Sequence, residues 1–338
     1  MLIVRPIRPE DFPALKELAQ SAGPGFTSLA LGEEALKDRL ENSVASFTAD
    51  VKAPGGEVYL MMLADSETGR VEGVGGVKAQ VGVKVPFFSF RCTTLAQCSS
   101  AVDRRFDMDA LIAVNEVAGA TEVGTLFVNP GARGGGAGRL IAKSRYLLMA
   151  AAPQRFGAQV IAELRGVVDA KGASPFWEAV GRPFFRMDFN DADRLSAMDN
   201  QFISDLLPTH PIYLDLLPDA ARRVVGVAHP EGQAARRLLE AEGFRHRGLI
   251  DVFDAGPLLT CLKERIRTFR KSRRVAVRLG APAKTPPVDA IVATERTPDY
   301  RATFAKVVLD GGEARLEADV ARALDVTSGD PLRIWVAT

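Results

Sequence analysis

Arg133, Gly134, Gly136 and Gly138 stand close together in GTLFVNPGARGGGAGRLIAKSR, residues 124–145, between an apolar run and a helix-like pattern. Residues of these types in this order can bind an anion. The first N–H groups of a helix have no internal partner, and the helix dipole is positive at that end. Phosphate groups bind at such places. Glycine lets backbone N–H groups approach a ligand with no Cβ between, and Arg133 adds a permanent cation. Two phosphate-binding patterns fail here. The dinucleotide pattern needs Gly or Ala three residues after its second glycine, and those places hold Arg139 or Ile141. The Walker A pattern needs a glycine before its lysine, and Lys143 follows Ala142. The pattern that fits is R-x-x-G-x-G, read at Arg133, Gly136 and Gly138.

Proton chemistry points to histidine, and the chain has only His210, His229 and His246. His229 precedes Pro230 in VAHPEGQAARRLLEAEG, which places it at a helix N-cap with proline at the first helical position. Helix N-termini favour the neutral imidazole, a form that accepts a proton from an amine and passes it on. A histidine that only caps the helix fits the same pattern. His246, in FRHRG, reads as solvated. The cysteines Cys92, Cys98 and Cys261 include no CxxC pair, so neither a metal site nor a disulfide scaffold is expected.

These residues need elements to hold them. Leu2-Ile3-Val4 reads as a strand, and a helix follows with Phe12, Leu15, Leu18 and Ala19 on its apolar stripe. A second helix from about Gly32 carries Leu36, Leu40, Val44 and Phe47. Residues 57–83 read as a hairpin around the turn Asp65–Gly69. Further strands fall in PFFSFRCTTL, TEVGTLFVNP and AQVIAELRG, whereas DALIAVNEVAG shows no decisive period. The helix after the glycines shows Leu140, Ile141, Ser144, Leu147, Leu148 and Ala151, and Pro153 closes it. The order implies an α/β (α+β) fold with a mixed sheet. A Pro-rich break, RLGAPAKTPP, precedes short β-like runs at 290–293, 303–309, 314–316 and 332–336, with Asp310-Gly311-Gly312 as a turn. The expected organisation is a main domain over 1–274 and a small, β-barrel-like domain over 275–338.

The R-x-x-G-x-G stretch resembles the pyrophosphate signature of the GCN5-related N-acetyltransferase superfamily. Longer segments resemble a narrower family, the arginine N-succinyltransferases, which include arginine/ornithine succinyltransferase subunits. They are GPGFTSL, DSETGRVEGV, TLFVNP, RGGGAGRLIAKSRYLLMA, AELRGVVDAKGASPFWEAVGRPFFRMDF, LLPTHPIY, VAHPEGQAARRLLEAEGFR and DVFDAGP, in order across most of the chain. The resemblance implies a GCN5-related acyltransferase fold with a mostly antiparallel sheet. It also implies transfer of succinyl from succinyl-CoA to the α-amine of arginine, in arginine catabolism. Leu126, Phe127 and Val128 would lie along the coenzyme A arm. Arg133, Gly134, Gly136 and Gly138 would take the pyrophosphate, and His229 would be the proton donor. Charged groups of the substrates need partners. Glu163 and Arg165, expected on one side of a strand, and Ser28 (with Thr27) in GPGFTSL are the candidates. The sequence departs from the family at Ala132, where an aromatic is common, and at Gly134 and Gly135, where some members carry charge.

Composition narrows the function classes. With 43 basic and 42 acidic residues the net charge is +1, so no global field draws the protein to nucleic acid or membrane. The basic run KERIRTFRKSRR has Phe269 as its one aromatic, too little for a stacking platform. No apolar run suits a membrane span. The expectation is a cytoplasmic enzyme with succinyl-CoA as co-substrate and no permanent cofactor. It would act on small molecules, as a homo-oligomer or with a similar subunit. Ornithine as acceptor, or a non-catalytic partner subunit, are the alternatives.

Overall fold

Residues 1–22, 29, 31–169, 172–196, 200–280 and 285–337 are described by the structure, a computed structural model. They divide into two compact units. The first comprises 1–80, 121–158 and 262–338, the second 81–120 and 159–261.

In the first unit the strand Leu2–Pro6 pairs antiparallel with Val58–Asp65, which turns into Val71–Lys78. Asp65 shapes the turn: its Oδ1 accepts from the backbone N–H of Glu67 and of Thr68. Thr121–Val128 adds antiparallel to Val71–Lys78. The helices Phe12–Ala22 and Glu33–Thr48 bury Leu15, Leu18, Leu36 and Leu40 against Leu60, Met62, Val74 and Phe127. Each such side chain contributes about 1.5–3 kcal/mol, which is why their helical spacing was readable in advance.

The C-terminal strands close into a ring of five. Val288–Thr294 pairs with Pro331–Val336, which pairs with Arg273–Leu279. That strand pairs with Glu313–Leu316, which pairs with Ala302–Asp310, and the last returns to Val288–Thr294. A closed ring has no exposed edge, so these short strands hold around Val275, Val277, Val292, Val307, Leu324 and Ile334. Every pairing named in this unit is antiparallel except Arg273–Leu279 with Glu313–Leu316. Arg273–Leu279 was hidden by the charge of KERIRTFRKSRR, because its basic residues face out while Val275 and Val277 face in. The ring joins the rest of the unit where Ile3 pairs with Thr303, whose hydroxyl donates to Leu2 O at 2.7 Å.

The second unit orders its strands as Pro257–Leu262, Arg245–Ile250, Ser89–Ser99, Arg104–Val114 and Ile212–Tyr213, each antiparallel to the next. DALIAVNEVAG proves to be the inner half of Arg104–Val114, over 109–114, followed by a turn over 115–119. Ala110 and Leu111 are both fully buried, so alternation is lost there. The core is aromatic: Phe176, Trp177, Phe185, Phe189 and Phe253 pack together, with Trp177 stacked on Phe253 at 5.4 Å. Much of the family-like stretch 162–189 is therefore core. Among the described residues, no helix is long and apolar enough to cross a membrane.

Candidate active site

The glycine loop of the first unit joins Thr121–Val128 to the helix Ala137–Ala151 through a turn at Pro130–Ala132. Gly134, Gly135 and Gly136 have φ of 111°, 54° and 88°. Side chains are strained in that region, so glycine suits all three positions. Gly136 is the N-cap and supplies no side-chain acceptor; Ala137 N–H donates to Gly134 O at 3.0 Å, which leaves the N–H groups of Gly138 and Arg139 for solvent or a ligand. Gly138 is unlike the other three. It is helical, and a Cβ there would meet nothing within 4 Å. Neither backbone nor packing asks for glycine, yet it costs the helix about 1 kcal/mol relative to alanine. What it provides is open approach to the helix start.

Arg133 is exposed, but its guanidinium is aimed. Nε donates to Val128 O at 3.0 Å, and Cζ lies 5.9 Å from the Phe127 ring. The helix behind the loop is fixed on several sides: Tyr300 OH donates to Ser144 O at 2.8 Å, and Lys143 Nζ lies 3.9 Å from the Trp335 ring centre.

The strand before the loop carries a bulge. Val74 pairs with Phe127 but Gly76 with Gly124, so Thr121–Val128 holds one extra residue there. Thr125 sits in it at φ 52°, a strained value for a β-branched residue. Its hydroxyl accepts from Arg39 Nη2 at 3.0 Å, and a Cβ at Gly76 would come within 2.9 Å of Thr125 Cβ. Burial holds the Arg39 guanidinium below its ordinary pKa, against the pull of Glu122. The bulge and Arg39 escaped the sequence reading. The signal was VGGV, two glycines inside a strand, a mark of bulges and close backbone approach.

In the second unit His229 is an N-cap, as its place before Pro230 implies. It caps the short turn Pro230–Gly232, ahead of the helix Gln233–Glu242, and its Nδ1 accepts from the Glu231 N–H at 3.3 Å. A neutral ring held this way carries its proton on Nε2. Glu231 Oε2 lies 3.9 Å from Nδ1, the acceptor at hand once Nδ1 is protonated. The backbone N–H of His229 donates to Arg165 O at 2.8 Å, and Gly166 bridges Ala228.

A tight loop, residues 251–256, clamps that segment. Asp254 is buried; its Oδ2 accepts from Gly166 N–H at 2.7 Å and its Oδ1 from Gly256 N–H at 2.8 Å. A Cβ at Gly166 would run into the backbone O of Asp254. Asp251 Oδ1 accepts from the N–H of Phe253 and of Asp254. The loop's Ala255 O takes Gly226 N–H at 2.9 Å. Burial pushes both carboxyls up, Asp254 further because Asp251 lies beside it. Asp193 is pushed up to about 7, first by burial and then by Asp251, while Arg165 pulls it down.

Asp193 binds its proton more tightly folded than unfolded. Its favourable contribution is complete below about pH 4, the unfolded value, and is lost as pH rises through about 7. Asp193→Asn is expected to flatten the fall in unfolding free energy over that window. Denaturant titrations at several pH values check this, and an identical slope in the variant would refute it.

The other sequence candidates fare unevenly. Leu126, Phe127 and Val128 lie on the strand as expected. Glu163 and Arg165 do not share a strand face: the strand Gln159–Glu163 ends at Glu163, and Arg165 lies in the segment that turns to pair with Ala228 and His229. Ser28 and Thr27 lie outside the described residues. His246 is not solvated but half-buried, with Nε2 2.9 Å from Leu249 O, and burial lowers its pKa. Burial and then Asp109 push the Cys92 thiol up to about 11, away from the thiolate a nucleophile needs.

The family description "Arginine N-succinyltransferase beta subunit" matches residues 2–268, and that of its C-terminal domain matches 273–335. The chain belongs to the arginine N-succinyltransferase beta subunit family. Relatives named arginine N-succinyltransferase, from Escherichia coli and Salmonella paratyphi B, are 38% and 39% identical over 336 residues, 99% of this chain and 97% of theirs. The solved arginine/ornithine succinyltransferase subunit AI from Pseudomonas aeruginosa is 33% identical, with a TM-score of 0.89 over 99% of this chain and 98% of that one. Membership in this succinyltransferase family thus extends over nearly the full length of the chain, well beyond the glycine loop.

Proposed function

We propose that the chain transfers succinyl from succinyl-CoA to the α-amine of L-arginine, as a soluble cytoplasmic enzyme of arginine catabolism with the GCN5-related acyltransferase fold. Full-length similarity to proteins named for this reaction supports the reading. The observation that carries its chemistry is Gly138 at the helix start, where glycine stands without any need from backbone or packing. Succinyl-CoA is the co-substrate. The acyltransferase portion was expected over 1–274 and the β portion over 275–338; because the ring takes the whole strand Arg273–Leu279, the boundary is better drawn before Arg273. Assembly is as a homo-oligomer or with a similar subunit.

The reaction joins the amine nitrogen to the thioester carbon and breaks the carbon–sulfur bond. First-turn N–H groups and Arg133 hold the pyrophosphate. Leu126 to Val128, after the bulge, line the pantetheine arm, and a backbone N–H there polarises the thioester carbonyl. Arg39 offers a cation to the free succinyl carboxylate. His229 carries one proton from the amine to the departing thiolate on Nε2, in the tautomer that gives up the cap bond from Glu231 N–H and turns Nδ1–H to the Glu231 carboxylate, 3.9 Å away. No acyl-enzyme forms. Ornithine is the second acceptor to consider, because the solved relative is named for both amino acids.

Product analysis by NMR tests the reading. Succinyl on the α-nitrogen supports it, whereas succinyl on the guanidino group counts against it. Gly138→Ala tests the loop separately. The variant is expected to gain up to about 1 kcal/mol of stability and to bind coenzyme A about tenfold more weakly. Thermal unfolding and binding titration check the pair, and unchanged binding would remove Gly138 from the site.

A further inference from the structure

Strands Ser89–Ser99 and Arg104–Val114 extend beyond the sheet they start from. Among the described residues, Ser89–Ser99 pairs with Arg245–Ile250 only at Phe90 and Arg91, and the far edge of Arg104–Val114 is paired only at Ala110 and Leu111. Beyond those residues the two form a ribbon by themselves. Phe106 is 50% exposed there and Val102, at the tip, 63%. A two-stranded ribbon alone is marginal in water, and an open edge invites another strand.

The open edge reads Arg104-Arg105-Phe106-Asp107-Met108, with Arg105 and Asp107 flanking Phe106 on either side and Arg104 matched by Met108. Among the described residues, neither Arg105 nor Asp107 takes an ion-pair partner. Both lie on the ribbon face of Ala96 and Cys98, while Phe106 and Met108 lie on the face of Gln97 and Leu95. We propose that this edge pairs antiparallel with the same edge of a second copy of the chain, about a two-fold axis at Phe106. Arg105 then faces Asp107 of the second copy, and Asp107 faces its Arg105. The opposite face brings Phe106, Met108 and Leu95 of both copies together, with each Arg104 facing Met108 of the second copy at the ends.

The register is selected by repulsion as well as attraction. A two-fold axis through the sheet requires facing residues of the same parity, so a slip moves the axis to Arg105 or Asp107. The slip to Arg105 sets that residue against itself; the slip to Asp107 sets Asp107 against itself, though it also brings Arg105 opposite Asp109, so the register at Phe106 is the one with no like charges facing. The pairing also ends where the structure requires: Ala110 is taken by Tyr213, and Asp103, at φ 49°, has left the strand. Such an interface is isologous and closes at two copies. It stands independently of the acyl-transfer reading.

Light scattering on the full-length protein over a concentration series tests this, with Arg105→Asp, Asp107→Arg and the double exchange as variants. All lie on an exposed ribbon, and circular dichroism confirms folding. The wild type is expected to dimerise. Each single exchange should raise the dissociation constant about tenfold or more, and the double exchange should restore it. A monomeric wild type overturns the proposal, as does a dimer indifferent to the single exchanges or a double variant that fails to recover. Pairing only with a different succinyltransferase chain overturns it too.

Discussion

Replacing His229 by alanine is expected to lower kcat by about 10²–10⁴-fold, the usual worth of a positioned proton carrier, with the KM for succinyl-CoA little changed. The fold should survive. His229 contributes one long cap hydrogen bond, at 3.3 Å, to a short turn. Losing a cap costs about 0.5–2 kcal/mol. Asparagine separates the two roles, since its side chain caps helices well but moves no proton. His229→Asn should therefore recover stability and leave kcat low. If His229→Ala keeps full kcat at neutral pH, the histidine is a cap and nothing more. If asparagine restores kcat, geometry rather than proton transfer is its contribution.

The largest loss of stability is expected at Asp254→Ala. The carboxyl accepts two backbone N–H groups, from Gly166 and Gly256, in a buried place. Each N–H left without an acceptor costs about 1–3 kcal/mol. Relief of the repulsion from Asp251 offsets part of this, for a net loss of about 2–4 kcal/mol. Activity should fall as well. Asp254 fixes Gly166, whose neighbour Arg165 accepts the His229 N–H at 2.8 Å. Asp254→Asn keeps one acceptor and the shape, so it should lie between wild type and alanine in both stability and kcat. The KM for succinyl-CoA should hold steady in every variant. Denaturant unfolding and steady-state kinetics read these together. An alanine variant as stable as wild type would refute the clamp, and kcat unaffected by a destabilised clamp would disconnect it from His229.

What was legible in the sequence follows a physical rule. Elements whose side chains repeat on one face were readable: Leu36 and Leu40 on their helix, the hairpin around Asp65, and the helix after the glycines. The cap at His229 was readable because proline at the next position is a local signal. Features made by distant partners were not. Asp254 reaches Gly166 across 88 residues of chain, and its role has no periodicity. The bulge at Thr125 depends on glycines in a neighbouring strand. Arg165 was misplaced because an alternating pattern does not say where a strand stops. The ribbon was obscure because both its faces are exposed, so no apolar alternation marks it.

The most direct test of the account is thiol release by the purified chain alone. Succinyl-CoA and acetyl-CoA would each be offered with arginine, ornithine and lysine. Rapid coenzyme A release is expected with succinyl-CoA and arginine, and much slower release with acetyl-CoA or lysine. Coenzyme A binding without release from any pair would contradict it, and would make the chain a subunit that holds the donor while another chain performs the transfer.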